Sequence, residues 1–154
     1  IGENYYEAIL KSMLSVGHRI PKKNILISSG PTRSKVELLN STRMLIEKGY
    51  NIYSTAGTAK FFKENGIDTQ ILYWPDEDKE PNIMEYLHDR KIDLVINIPK
   101  NHTKRELDNG YKIRRAAVDY NIPLITNARL ASAFIYAICK VDPSEIAIKS
   151  WDEY

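Results

Sequence analysis

The chain has 154 residues, 27% of them charged and 43% hydrophobic, which suits one domain with a real core. Its 22 Lys and Arg nearly balance its 20 Asp and Glu, and no basic tract interleaved with aromatics occurs, so nothing demands a nucleic-acid partner. No apolar run approaches the ~18 residues of a membrane span and no signal peptide is visible, while a single cysteine, Cys139, rules out a disulfide framework and points to a reducing, cytoplasmic compartment.

The chain begins in mid-pattern at Ile1 without an initiator methionine, which reads as a piece excised from a longer protein or a processed product. A leading helix is expected over Asn4–Leu14, and Lys11, Lys22 and Lys23 suggest a hinge to a preceding domain. The first strand is Asn24–Ser28 (NILIS), followed by a helix over Val36–Lys48 that Gly49 closes. A strand at Asn51–Ser54 leads through Tyr53-Ser-Thr-Ala-Gly-Thr58 into a helix over Thr58–Asn65, closed by Gly66. Next come a strand at Thr69–Tyr73, an irregular stretch over Trp74–Asn82 and a helix over Ile83–Arg90. The strand Asp93–Ile98 precedes a second irregular stretch, Pro99–Gly110, and a helix over Tyr111–Tyr120. A strand at Pro123–Thr126 and a helix over Leu130–Cys139 complete the pattern. Strands alternating with helices predict a parallel α/β sheet covered on both faces.

In such a sheet ligands sit beyond the carboxyl ends of the strands, so the residues there are the candidate site. They are Ser28, Ser29, Gly30 and then Lys35; Thr55, Gly57 and Thr58; Trp74 and Pro75; Asn97, Pro99 and Lys100; and Thr126 and Asn127. Thr55 and Thr58 flank a helix start, where they either cap the helix or donate to an anion drawn by its dipole. Lys35, near Arg33 at a helix start, opposes the macrodipole; an anion would resolve that conflict, and extension into water is the alternative. Trp74 is either a core lid or a surface for a ring to stack on. Arg114 and Arg115, near Asn109 and Ile113, are placed at the opening of the helix Tyr111–Tyr120. They either bind an anion, clamp an acidic partner domain or are solvated. Asp76, Glu77, Asp78 and Glu80 read as a solvated acidic loop. His18, His88 and His102 are scattered, so no metal site is implied, and no serine elbow, Walker loop or dinucleotide fingerprint is present.

Together, Ser29…Lys35, Thr55-Ala-Gly-Thr58, Trp74-Pro75, Asp93-Leu-Val-Ile-Asn-Ile-Pro99, Tyr111-Lys-Ile-Arg-Arg115 and Ile122-Pro-Leu-Ile-Thr-Asn127 resemble the methylglyoxal-synthase-like domain. More closely they resemble the C-terminal regulatory domain of the carbamoyl-phosphate synthetase large chain. The likeness covers about residues 22 to 140, and Gly2-Glu-Asn-Tyr-Tyr-Glu-Ala8 resembles the tail of the preceding ATP-grasp domain. It implies a tail or linker over 1–21 and a methylglyoxal-synthase-like domain over 22–154. The implied architecture is a three-layer α/β sandwich, flavodoxin-like, with a five-stranded parallel sheet. The implied role is allosteric, without catalytic residues or a cofactor in this domain; the parent enzyme would use ATP with Mg or Mn.

Under the resemblance, residues matching Ser29, Lys35, Thr55, Thr58 and Asn97 hold the phosphate and sugar of a nucleotide effector. In the urea-cycle type, residues matching Thr55, Thr58, Trp74, Asn97 and Asn109 bind N-acetylglutamate, but a further asparagine of that set falls on Lys100 here. Lys100 would then stand in for the lysine that many members carry at the position of Trp74, so that Lys35 and Lys100 face one anion. This favours a uridine or inosine phosphate over N-acetylglutamate. The site set is thus Ser29, Lys35, Thr55, Thr58, Trp74, Asn97, Lys100, Asn109 and Ile113, with Arg114 and Arg115 coupling it to the parent. Expected partners are the small-molecule effector, synthetase domains of the same chain and a glutaminase subunit or domain, with neither nucleic acid nor membrane. A methylglyoxal synthase enzyme is the rival class; it needs a Gly-Gly-Asp setting after strand three, where this chain has Asp78-Lys-Glu-Pro-Asn82, and a histidine that His102 does not clearly match. A domain that only mediates oligomer contacts is the other rival.

Overall fold

The two strands with the most continuous apolar sequence take the middle of the sheet, because only there are both faces covered and both edges paired. In the computed structural model, which describes residues 2–100, 102–142, 144 and 146, β1 (Asn24–Ser29) and β4 (Leu94–Ile98) lie side by side. β2 (Asn51–Ser54) flanks β1, β3 (Gln70–Ile71) flanks β2, and β5 (Leu124–Ile125) flanks β4. The five strands are parallel in the order β3-β2-β1-β4-β5, as the alternating pattern predicts. β3 and β5 are shorter than the runs Thr69–Tyr73 and Pro123–Thr126, since each edge strand has a partner on one side and pairs over two residues.

Alternation along the strands divides the core in two. Ile25 and Ile27 pack with Leu10, Leu45, Phe62 and Phe134 on one face, beneath α1 (Tyr5–Ser15), α2 (Thr32–Glu37), α3 (Leu39–Glu47), α4 (Ala56–Glu64) and α7 (Ala128–Lys140). Leu26 and Val95 pack with Leu87, Ile113 and Ala117 on the other face, beneath α5 (Ile83–His88) and α6 (Lys104–Asp119). The result is the three-layer sandwich. α1 contributes Leu10 and Met13 to the first core, so the segment read as the tail of a preceding domain packs here against α7. No described helix is long and apolar enough to cross a membrane.

Two expectations are corrected. The helix over Val36–Lys48 is interrupted at Leu38 into α2 and α3: the Leu38 N–H is shared between the Ser34 and Lys35 carbonyls at 3.2 Å, and the Leu38 carbonyl accepts the Ser41 and Thr42 hydroxyls at 3.1 and 2.7 Å besides the Thr42 N–H, back-bonding that bends a helix. The stretch Pro99–Gly110 is not irregular throughout, for α6 starts at Lys104. Thr103 caps it, accepting from the Glu106 N–H at 3.2 Å while Glu106 accepts from the Thr103 N–H, a reciprocal capping box. Arg114 and Arg115 therefore lie in the interior of a 16-residue helix rather than at its opening.

Candidate functional site

The crossovers decide where a ligand can sit. The connection from β1 to β2 passes over one face of the sheet and that from β4 to β5 over the other, so neither covers the gap at the C-terminal ends of β1 and β4. The register sets Ser28 beside Asn97 and Ser29 beside Ile98 at that gap. A cavity of about 240 Å³ opens there, lined by Ser28, Ser29 and Asn97, by the start of α4, and by Trp74, Lys100 and Ile113. Gly30 makes the meeting of the strand ends possible. Its N–H donates to the Ile98 carbonyl at 3.0 Å, and a Cβ at this position would lie 2.0 Å from Lys100 Cβ. Only glycine lets the segment after β1 touch the one after β4, and that contact sets Lys100 on the cavity wall.

The two threonines of the α4 start divide their roles. Thr58 Oγ1 accepts from the Ser29 N–H at 3.0 Å and from the Thr55 hydroxyl at 3.2 Å, and donates to the Ser29 carbonyl at 3.2 Å. One hydroxyl has one proton and two lone pairs, so Thr58 is saturated and pins the end of β1 to α4. Thr55 is the N-cap residue, yet its side chain makes no capping hydrogen bond; its hydroxyl lies between Thr58 Oγ1 and Ser28 Oγ, the latter at 3.4 Å. The N–H groups that begin α4, from the cavity-lining Ala56 and Gly57, precede the helical ladder and suit an anion. Ser29 is 5% exposed and its hydroxyl has no hydrogen-bond partner among the described residues. An unpaired buried hydroxyl costs about 1–3 kcal/mol, which a ligand oxygen would offset.

The cations are arranged unequally. Lys100 lines the cavity with its Nζ 3.6 Å from Glu106 Oε1, so it already has an internal counter-ion. Lys35, half-buried in α2 behind the α4 start, has Nζ 3.4 Å from the Gly57 carbonyl and 5.8 Å from the Phe61 ring centre. Burial, and then the charge of Lys100, hold the Lys35 ammonium below the ordinary lysine range. Arg105, which the sequence reading passed over, lies 5.3 Å above the half-buried Trp74 ring and lines the cavity. It grips Asp76 through two hydrogen bonds of 2.5 and 3.2 Å, and that grip lowers the Asp76 carboxyl below its usual range.

The loop after β3 is braced rather than loose. Asn82 Nδ2 donates to the carbonyls of Trp74 and Glu77 at 2.9 and 3.1 Å, and the Trp74 N–H donates to Glu77 Oε2 at 2.9 Å. Asn109 serves the same brace. It is 1% exposed, accepts from the Asp76 N–H at 3.2 Å and donates to the Arg105 carbonyl at 3.1 Å, standing behind the cavity wall instead of forming it. Of the acidic loop, Asp76 and Glu77 are thus engaged and Glu80 accepts from the Asn82 N–H at 3.3 Å, while Asp78 is exposed.

The two arginines diverge. Arg114 Nη1 donates to Asn97 Oδ1 at 2.8 Å, whereas exposed Arg115 pairs outward with Asp119 at 3.0 Å. Thr126 and Asn127 border a separate groove beside Arg33 and Glu37, where Asn127 caps α7 by accepting from the Leu130 N–H at 3.0 Å. Among the described residues no group of three or more His, Cys, Asp or Glu could hold a metal. Arg105 and Glu106 had a legible signal, since Thr103-Lys-Arg-Glu106 is a capping-box sequence that puts both in a first helical turn.

The profile of the MGS-like domain matches residues 37–126. "Multifunctional protein CAD" of Squalus acanthias is 44% identical over 151 residues, covering 89% of this chain and 7% of that protein. "Carbamoyl phosphate synthase large chain, C-terminal section" of Aquifex aeolicus is 36% identical over 138 residues, covering 90% of this chain and 25% of that protein. This chain therefore spans a small part of the relatives it matches. Among solved structures, methylglyoxal synthase from Elizabethkingia anophelis superposes with a TM-score of 0.53 over 75% of this chain and 79% of that one. At 17% identity this likeness speaks for the fold alone. With the profile matched over more than half its length, on a sheet and strand-end cavity of the expected kind, the chain belongs to the MGS-like domain family.

Proposed function

We propose that the chain is the regulatory part of a carbamoyl-phosphate synthase large chain and holds a nucleotide phosphate of the uridine or inosine class at the ends of β1, β2 and β4. The observation that carries this reading is the convergence of donors at the cavity. Among the described residues Ser29 has an unpartnered buried hydroxyl, the start of α4 presents N–H groups, Lys100 lines the wall, and Lys35, outside the lining, stands behind the α4 start close enough to feel the Lys100 charge. A phosphate with nearly two charges draws Lys100 from Glu106 and relieves the repulsion between the lysines; a single carboxylate does less of both. Trp74 offers a base its half-buried ring, over which the Arg105 guanidinium lies at 5.3 Å in the ligand-free chain.

A regulatory role is favoured by the state of the carboxylates on the wall. Glu77 accepts from Trp74, and Glu106 is committed to Thr103 and Lys100. Burial opposes ionisation of Glu106, but the Thr103 hydrogen bonds and the Lys100 charge outweigh it and keep the carboxyl below its usual range. A base so stabilised is poorly suited to taking a proton from a substrate at neutral pH. In this reading the chemistry lies in synthetase domains of the same chain, which make carbamoyl phosphate from bicarbonate, ATP and nitrogen delivered by a glutaminase partner or as ammonia. An effector alters that output by binding one conformation better, typically by about 1–3 kcal/mol of coupling. α6, which carries Arg105, Glu106 and Ile113 to the cavity and Arg114 to the cavity-lining Asn97, is the element best placed to transmit the difference.

Calorimetric titration with uridine monophosphate, uridine triphosphate, inosine monophosphate and N-acetylglutamate tests the reading. At least one nucleotide is expected to bind, several-fold more weakly in Lys100→Ala. Binding of N-acetylglutamate alone would overturn the nucleotide assignment, and turnover of dihydroxyacetone phosphate would overturn the regulatory one.

A further inference from the structure

We infer that Arg114 is a positioning residue that locks the Asn97 carboxamide with its NH2 group toward the cavity, so that the ligand atom seated over the end of β4 must be a hydrogen-bond acceptor. A carboxamide presents an acceptor at one end and donors at the other in nearly the same shape, and only its partner decides which end faces a ligand. Asn97 is 2% exposed and lines the cavity. The atom facing its carboxamide is Arg114 Nη1, at 2.8 Å. A guanidinium donates and never accepts, so the carboxamide atom against it is the oxygen and Nδ2 is left for the cavity.

The packing of α6 reserves room for this contact. Gly110, one turn before Arg114, sits inside a helix, where glycine costs about 1 kcal/mol relative to alanine. A Cβ there would lie 2.9 Å from Arg114 Nη1 and 3.8 Å from Asn97 Oδ1. The glycine thus leaves the guanidinium free to cross to β4. No carboxylate lies within ion-pairing distance of Arg114 among the described residues, so its charge polarises the carboxamide and strengthens Nδ2 as a donor. The neighbouring Arg115 has no such part, being turned outward to Asp119. The two adjacent arginines therefore separate: the first sets the chemistry of the cavity and the second does not.

The orientation stands on geometry alone, while its consequence for a ligand rests on the nucleotide reading above, and the test separates them. In the ligand-free chain the side-chain amide of Asn97 is followed by ¹⁵N NMR in wild type, Arg114→Met, which keeps the apolar stem and removes every donor, and Arg114→Lys. Arg114→Met is expected to shift or broaden the Asn97 amide pair, with Arg114→Lys closer to wild type; an unchanged pair in Arg114→Met overturns the positioning role. Uridine monophosphate affinity is expected to fall roughly three- to tenfold in Arg114→Met, the worth of one net hydrogen bond, and by less than twofold in Arg115→Met. Equal losses in the two variants overturn the inference. Asn97→Asp keeps a partner for Arg114 but replaces the donor by a carboxylate oxygen, so it should fold and lose uridine monophosphate; wild-type affinity in that variant also overturns the inference. If the wild-type chain binds no nucleotide, the functional reading fails, and the spectra still decide the positioning.

Discussion

Gly30→Ala tests how the cavity is built, because a single methyl group is placed where two strand ends touch. The added Cβ would lie 2.0 Å from Lys100 Cβ and 2.8 Å from the Lys100 Cα and backbone N, against 3.4 Å or more for ordinary contact. Relief needs a movement of about 1.4 Å, the difference between 2.0 and 3.4 Å, and the obstacle includes backbone rather than the free end of a side chain. Overpacking of this kind costs about 1–3 kcal/mol. At roughly 2–4 °C per kcal/mol for a chain of this length, the melting temperature should fall by about 2–12 °C. The displacement also pulls at the Gly30 N–H bond to Ile98 and carries Lys100 away from the cavity, so nucleotide affinity should drop by more than in Lys100→Ala. Differential scanning calorimetry and titration with uridine monophosphate read the two effects. A variant that melts and binds like wild type would show that Gly30 and Lys100 do not touch, and with it the argument for how Lys100 reaches the wall would fall.

Two further outcomes follow from the same packing. Since Lys35 is held below its unfolded-state pKa, folded protein binds fewer protons than unfolded protein between the two values, and stability contributed by this group rises with pH across that window. A bound anion restores the charge, so uridine monophosphate binding should take up a proton at alkaline pH and weaken as pH rises through the lowered pKa; a slope that persists unchanged in Lys35→Met would refute it. Leu10→Ala, which opens a hole between α1 and α7, should cost about 2–5 kcal/mol, and a loss below 1 kcal/mol by denaturant titration would mean that α1 is an appendage rather than part of this core.

Much of the architecture was written locally along the chain. Apolar periodicity marked out each strand, and the register of hydrophobic residues on β1 and β4 required burial on both faces, hence a parallel sheet with helices on either side. A ligand site at the carboxyl ends of strands is a property of that topology, which is why Ser28, Ser29, Asn97 and Lys100 could be named from sequence as cavity residues. The start of α6 was also within reach, through the capping box at Thr103 and Glu106.

What each polar atom does there was decided by tertiary structure, because the deciding partners are distant in sequence. Thr58 is saturated by Ser29, 29 residues earlier, and so serves as a rivet instead of a ligand donor. Asp76 is held by Arg105, 29 residues later, which draws Asn109 into a brace behind the wall. Arg114 reaches Asn97 across 17 residues while Arg115, the next residue, faces away. Periodicity reports which face of an element a residue occupies. It carries no record of which donors and acceptors the sheet order and helix crossings bring within about 3 Å, and at that distance a hydrogen bond is made or lost.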